Sequence, residues 1–93
     1  MAGTTGESAT LEVEELDALI DQVVRHVRGR IPVLAGTGST STADTMARTR
    51  RAGELGVDAA LVVTPAYYRP SQRGLLAHYE AVADVSDLPV VLY

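Results

Sequence analysis

Along this chain, short runs of consecutive apolar residues alternate with longer segments whose apolar positions recur at helical spacing, and loops of glycine, proline and hydroxyl residues separate them. The first periodic segment holds Leu16, Leu19, Ile20, Val23, Val24 and Val27 on one face, with Glu14, Glu15, Asp17, Asp21, Gln22, Arg25 and Arg28 opposite. This predicts an amphipathic helix capped by Thr10, with acids near its positive end and Gly29 as its stop. His26 falls on the wet face and reads as a solvated histidine. Ile31 to Ala35 then reads as a strand, Gly36 to Ser41 as a loop, and Thr42 to Leu55 as a helix with Ala43, Met46, Ala47, Ala52 and Leu55 inside, closed by Gly56. A further unit follows: a strand over Ala59 to Val63, a loop over Thr64 to Pro70, and a helix from Ser71 to about Val85. Leu75, Leu76, Tyr79, Val82 and Ala83 form its inner side, with His78 at the edge. Ser86-Asp87-Leu88-Pro89 breaks that helix, and Val90 to Tyr93 reads as another strand.

Continuously apolar strands alternating with helices, in units of roughly 30 residues, imply an α/β fold with a parallel sheet covered on its faces. Parallel strands carry their ligand loops at the carboxyl ends. Thr4-Thr5, Thr64 to Tyr68, and Tyr93 should therefore open on one side of the sheet. The Gly3-Thr4-Thr5-Gly6-Glu7-Ser8 loop is the densest of these places: glycines permit close approach, and amide and hydroxyl groups suit a small carboxylate. Such a loop alone is also an ordinary tight turn ahead of a helix. Gly36 to Ser41 has the strand, glycine loop, helix order of a phosphate site. It lacks both the Gly-Lys-Ser/Thr ending of a P-loop and the third glycine of a dinucleotide fingerprint, which argues against a nucleotide.

Composition sharpens this in a few places. The 93 residues include four tyrosines but no Phe, Trp or Cys, so the core is aliphatic, and disulfides and thiolate metal sites are excluded. A net charge of −4 without a basic run argues against nucleic acid or an anionic membrane as partner. No apolar segment reaches membrane length, and no basic-then-apolar leader opens the sequence.

Four motifs, taken together, resemble a known family. Gly3-Thr4-Thr5-Gly6-Glu7-Ser8, Ala35-Gly36-Thr37-Gly38-Ser39-Thr40-Ser41-Thr42-Ala43, Val63-Thr64-Pro65 with Tyr67 and Pro70, and Leu88-Pro89-Val90-Val91-Leu92-Tyr93 resemble in order the 4-hydroxy-tetrahydrodipicolinate synthase family. These are pyruvate-handling class I aldolases, a group that also holds N-acetylneuraminate lyase. The likeness runs the full length without a gap. It implies a (β/α)8 TIM barrel of about 250 residues, of which residues 1–93 would be a fragment of the single domain, truncated at both ends. They would supply the end of the second strand through the start of the fifth.

The resemblance also implies a chemistry. Pyruvate condenses with a lysine amine to a Schiff base, becomes an enamine, and attacks L-aspartate 4-semialdehyde on the diaminopimelate route to lysine. By matched position, Tyr93 is the proton-handling tyrosine, Thr4 links it onward, and Tyr67 is the relay tyrosine reaching into a neighbouring subunit of a homotetramer. Thr5 binds the pyruvate carboxylate. No metal and no cofactor beyond the covalent lysine adduct is implied, and the setting is cytoplasmic. Two departures stand out. The chain has no lysine at all, the Schiff-base residue belonging to the next strand of the family's barrel, so the fragment alone should be inactive. The family's paired tyrosines after Thr-Pro are here Ala66 and Tyr67, with Tyr68 following. Two other readings remain open: an aldolase or lyase of the same family acting on a sugar acid, and a noncatalytic α/β module.

Overall fold

The computed structural model describes residues 1–93. Three helices and three strands alternate after a short 3₁₀ turn at Ser8–Thr10: α1 (Val13–Val27), β1 (Leu34–Gly36), α2 (Thr42–Glu54), β2 (Ala59–Val62), α3 (Gln72–Ala83) and β3 (Val90–Leu92). The sheet is parallel throughout in the order β1-β2-β3, with Ala35 opposite Ala60 and Leu61 opposite Val91.

Backbone pairing extends beyond the regular strands at both edges. The Met1 amine donates to the Leu34 carbonyl at 2.6 Å and the Gly36 N–H donates to the Met1 carbonyl at 2.8 Å. That is the alternation of a parallel ladder, so Met1 lies opposite Ala35 as a fourth strand position. At the other edge the Tyr93 N–H donates to Val62 and the Thr64 N–H to Tyr93, both at 2.9 Å. The Gly3 loop, Gly36, Val63 and Tyr93 thus stand at the same end of the sheet.

The helices end where local chemistry permits. Glu12, not Thr10, caps α1: its N–H donates to the Glu15 carboxylate at 2.9 Å, while Thr10 is held in the 3₁₀ turn by its bond to the Glu7 carbonyl. After Val27, Arg28 and Gly29 both adopt left-handed φ and turn the chain out. Ser41 and Ser71 cap α2 and α3 by accepting from the N–H groups of Asp44 and Gly74. β1 begins at Leu34 rather than Ile31, because Ile31 and Pro32 are exposed and the Val33 N–H is taken by the Asp58 carboxylate at 2.7 Å. β2 stops at Val62 and α3 at Ala83, each slightly short of the expected end.

The main apolar core packs Ala2, Leu16, Ile20, Val33, Ala35, Ala52 and Val57 together. A smaller one joins Ala60, Val62 and Val82. The buried face of α2 corrects the expectation from its apolar residues: Ala43 and Ala47 are exposed, whereas Thr45, Thr49 and Ala52 point inward. Each hydroxyl is satisfied there, Thr49 with Thr37 at 2.8 Å and Thr45 with the Ser41 carbonyl at 2.9 Å. On α3, Leu76 and Ala83 face out, and His78 is buried rather than at the edge. Leu92 and Tyr93 are left largely exposed on the β3 side of the sheet. No helix is long and apolar enough to cross a membrane.

Candidate active site

At the carboxyl end of the sheet a small cleft is lined by Gly3, Thr4, Ser8, Gly36, Gly38 and Tyr93, with Leu61 and Val63 among its apolar walls. The Gly3–Ser8 loop reaches it as a tight turn, the N–H groups of Gly6 and Glu7 donating to the carbonyls of Gly3 and Thr4 at 3.0 Å. The tight-turn reading of this loop thus holds, and the folded-back backbone leaves Thr4 and Thr5 exposed. Thr4 lines the cleft; Thr5 stands beside it on the exposed side of the loop.

Tyr93 is placed by its backbone. Besides the Thr64 N–H, the Thr64 hydroxyl donates to the Tyr93 carbonyl at 3.2 Å, so one residue closes both bonds at the end of β3. Tyr93 remains 59% exposed and lines the cleft. Thr4 and Tyr93, drawn from opposite ends of the sequence, are thus brought together, whereas Tyr67 is not. Its side chain is 99% exposed on the loop after β2, and its φ is +70°. That loop is pinned nearby, since the Tyr68 hydroxyl donates to the Thr40 carbonyl at 3.1 Å.

The glycines of the Gly36-Thr37-Gly38 stretch are explained by packing. A Cβ on Gly36 would collide with the carbonyl of Ala2, and one on Gly38 would meet Val63 Cγ1 at 2.6 Å and its N at 2.7 Å. Both collisions involve backbone, so the close approach of neighbouring strand ends requires glycine. Between them Thr37 is fully buried, its N–H donating to Leu61 at 3.1 Å. These supports were missed from the sequence. The spacing of Thr42, Thr45, Thr49 and Ala52, three, four and three residues apart, is the signal that marks the α2 face.

Behind the cleft, Thr42 at the start of α2 is bonded to His78 Nδ1 at 2.8 Å, and His78 meets Tyr79 edge-to-face at 5.2 Å. Burial pushes the His78 pKa below 6.5, and its Nε2 has no partner. A shallow basic crevice formed by Arg25, His26, Arg28 and Arg30 lies at the carboxyl end of α1. Arg30 serves there as a cap, donating to the carbonyls of Val27 and His26 at 2.9 and 2.8 Å. No group of three His, Asp or Glu side chains is arranged to hold a metal ion.

The Dihydrodipicolinate synthetase family model matches residues 1–93, the whole chain. The chain belongs to that family. Relatives named 4-hydroxy-tetrahydrodipicolinate synthase include those of Stenotrophomonas maltophilia, 59% identical over 93 residues, and Bacillus subtilis, 53% identical over 93 residues. In both cases all of this chain is matched, but only 31% and 32% of the relative. Among solved structures, the dihydrodipicolinate synthase of Bacillus anthracis superimposes with a TM-score of 0.98 at 49% identity, covering 100% of this chain and 32% of that one. The chloride-inhibited enzyme of Acinetobacter baumannii, complexed with pyruvate, gives a TM-score of 0.97 at 48% identity over 99% of this chain and 32% of that one. The chain of this synthetase-family member thus spans about a third of the length of the relatives it matches, and its three-stranded sheet and helices correspond to part of their fold.

Proposed function

We propose that this chain supplies the hydroxyl and phenol side of the active site of a 4-hydroxy-tetrahydrodipicolinate synthase, from the end of the second strand of a (β/α)8 barrel through the start of the fifth. The observation that carries the reading is the convergence of Thr4 and Tyr93 on one cleft at the carboxyl ends of the strands, in a chain that the family matches from end to end. In the intact enzyme, a cytoplasmic homotetramer, pyruvate condenses with a lysine outside these residues, releasing water to leave a Schiff base. Loss of a methyl proton gives the enamine, whose carbon attacks the aldehyde of L-aspartate 4-semialdehyde. Protons leave and return at each stage, and a phenol with an ordinary pKa of about 10 moves them only when hydrogen bonds stabilise its anion. Tyr93 is the group that gives and takes them, and Thr4, in the same cleft, is the hydroxyl that links it onward. Tyr67, projecting fully from its own chain, completes the relay in the site of a neighbouring subunit. Thr5 holds the pyruvate carboxylate. No metal or separate cofactor enters these steps.

Kinetics of the intact enzyme test the assignment. Tyr93→Phe and Thr4→Val should each lower turnover by about 100-fold or more while leaving the KM for pyruvate within a few-fold, the mark of a group that acts in the transition state. Thr5→Val should instead raise the KM for pyruvate. Turnover within a few-fold of the parent for both Tyr93→Phe and Thr4→Val would refute the relay. Condensation with a sugar-type aldehyde in preference to the semialdehyde would redirect the reading to a sugar-acid lyase of the same family.

A further inference from the structure

We infer that Tyr68 is a positioning residue for Tyr67, tethering the loop after β2 so that the relay phenol is held at one place. The inference rests on the relay reading above and goes beyond it in assigning Tyr68, which neither the reaction nor the core requires.

Tyr67 combines two features that no contact of its own explains. Its side chain is 99% exposed, and its backbone sits at φ +70°, a conformation disfavoured for a bulky aromatic residue. Strain of that kind persists only where flanking structure fixes it. On one side the loop is fixed by Thr64, bonded through N–H and hydroxyl to the Tyr93 carbonyl, and by the buried Pro65. On the other side the restraint is Tyr68, whose hydroxyl donates to the Thr40 carbonyl at 3.1 Å across 28 residues of sequence.

Thr40 is a firm post for such a tether. Its neighbours Ser39 and Ser41 are both bonded to the fully buried Thr45 hydroxyl, the Ser39 N–H donating to it at 3.0 Å and the Ser41 carbonyl accepting from it at 2.9 Å. The Thr40 carbonyl therefore cannot follow the loop. Tyr68 is itself 56% exposed, so its ring contributes little to the core, and removing its hydroxyl opens no buried hole.

Three variants of the intact oligomeric enzyme decide the matter: Tyr68→Phe, Tyr67→Phe and the two together. Tyr68→Phe should lower kcat about three- to tenfold, the size of one hydrogen bond, and leave the KM for pyruvate within about twofold. The double variant should be no slower than Tyr67→Phe alone, because a tether has nothing to position once the relay hydroxyl is gone. A purely structural Tyr68 would instead give additive losses together with a lowered melting temperature. Parental kcat in Tyr68→Phe, or additive losses in the double variant, would overturn the inference while leaving the relay standing if Tyr67→Phe is slow. Parental kcat in Tyr67→Phe would refute the relay itself.

Discussion

Two regions on the helix-covered side of this small sheet, where Ala35 and Ala60 stand side by side, are packed by different means. Under α1 the contact is apolar: Leu16 and Ile20 lie against Ala2, Val33, Ala35 and Val57, and the stabilisation comes from area removed from water. Between α2, α3 and β2 only Ala60, Val62 and Val82 form a buried apolar group. The remaining space is filled by Thr37, Thr45, Thr49 and His78, each at most 5% exposed. A contact made of threonines contributes less by transfer, but it fixes geometry, because each hydroxyl accepts only a narrow range of partners. That region supports the strand ends of the cleft: Thr37 sits between Gly36 at the end of β1 and Gly38 in the loop after it, and Thr45 holds the carbonyl and amide groups around Thr40. The apolar region under α1 holds the chain together, while the polar region under α2 and α3 sets where the site's loops lie.

The contrast can be broken most forcefully on the apolar side. Ile20→Ala in the intact protein should cost about 2–5 kcal/mol, the range for truncating a buried aliphatic residue, read as a lowered unfolding midpoint in denaturant. A loss below about 1 kcal/mol would mean that this region collapses freely around the hole.

Thr49→Val sharpens the polar side. It keeps the shape but strands the Thr37 hydroxyl, and should cost about 1–3 kcal/mol, whereas Thr37→Val combined with Thr49→Val should recover most of that loss. Recovery in the double variant is the signature of a hydroxyl pair. If the two losses merely add, the 2.8 Å contact between these hydroxyls contributes nothing specific.

The smallest effect is the acid response of His78. Burial lowers its pKa in the folded state below 6.5, so below that pH the unfolded chain takes up a proton that the folded chain resists. Stability from this group is therefore constant above about pH 6.5, falls as pH drops through that value, and levels off below the folded pKa. Unfolding midpoints at pH 7.5 and 5.5 should differ more in the parent than in His78→Asn, whose side chain does not titrate. Equal differences in the two proteins would show that His78 is not held neutral by the fold.

The apolar region was readable because burial of aliphatic side chains leaves a period in the sequence: Leu16, Ile20 and their neighbours announce α1 and its inward side. The polar region was not, since Thr45 and Thr49 carry the same residue type as solvent-exposed Thr4 and Thr40, and only a partner's location separates them. The same reasoning applies to His78, which by sequence sits at the edge of a stripe and by structure lies beneath it.

Within the candidate site the division is similar. Thr4, Thr5, Tyr67 and Tyr93 were marked by residue type, by their place after apolar runs and by family resemblance, and parallel strands put their ends on one side. The convergence of Thr4 with Tyr93, the close approaches that exclude a side chain at Gly36 and Gly38, and the bonds from Thr64 to Tyr93 and from Tyr68 to Thr40 join residues 25 or more apart in the chain. Sequence by itself determined the elements, their order, the apolar side of α1 and the chemical character of the loops, because those follow from local periodicity and residue type. Tertiary structure alone decided which hydroxyls are buried in pairs, which are presented to the cleft, and which phenol stands free, because a hydrogen bond is defined by where its partner lies and not by the residue that offers it.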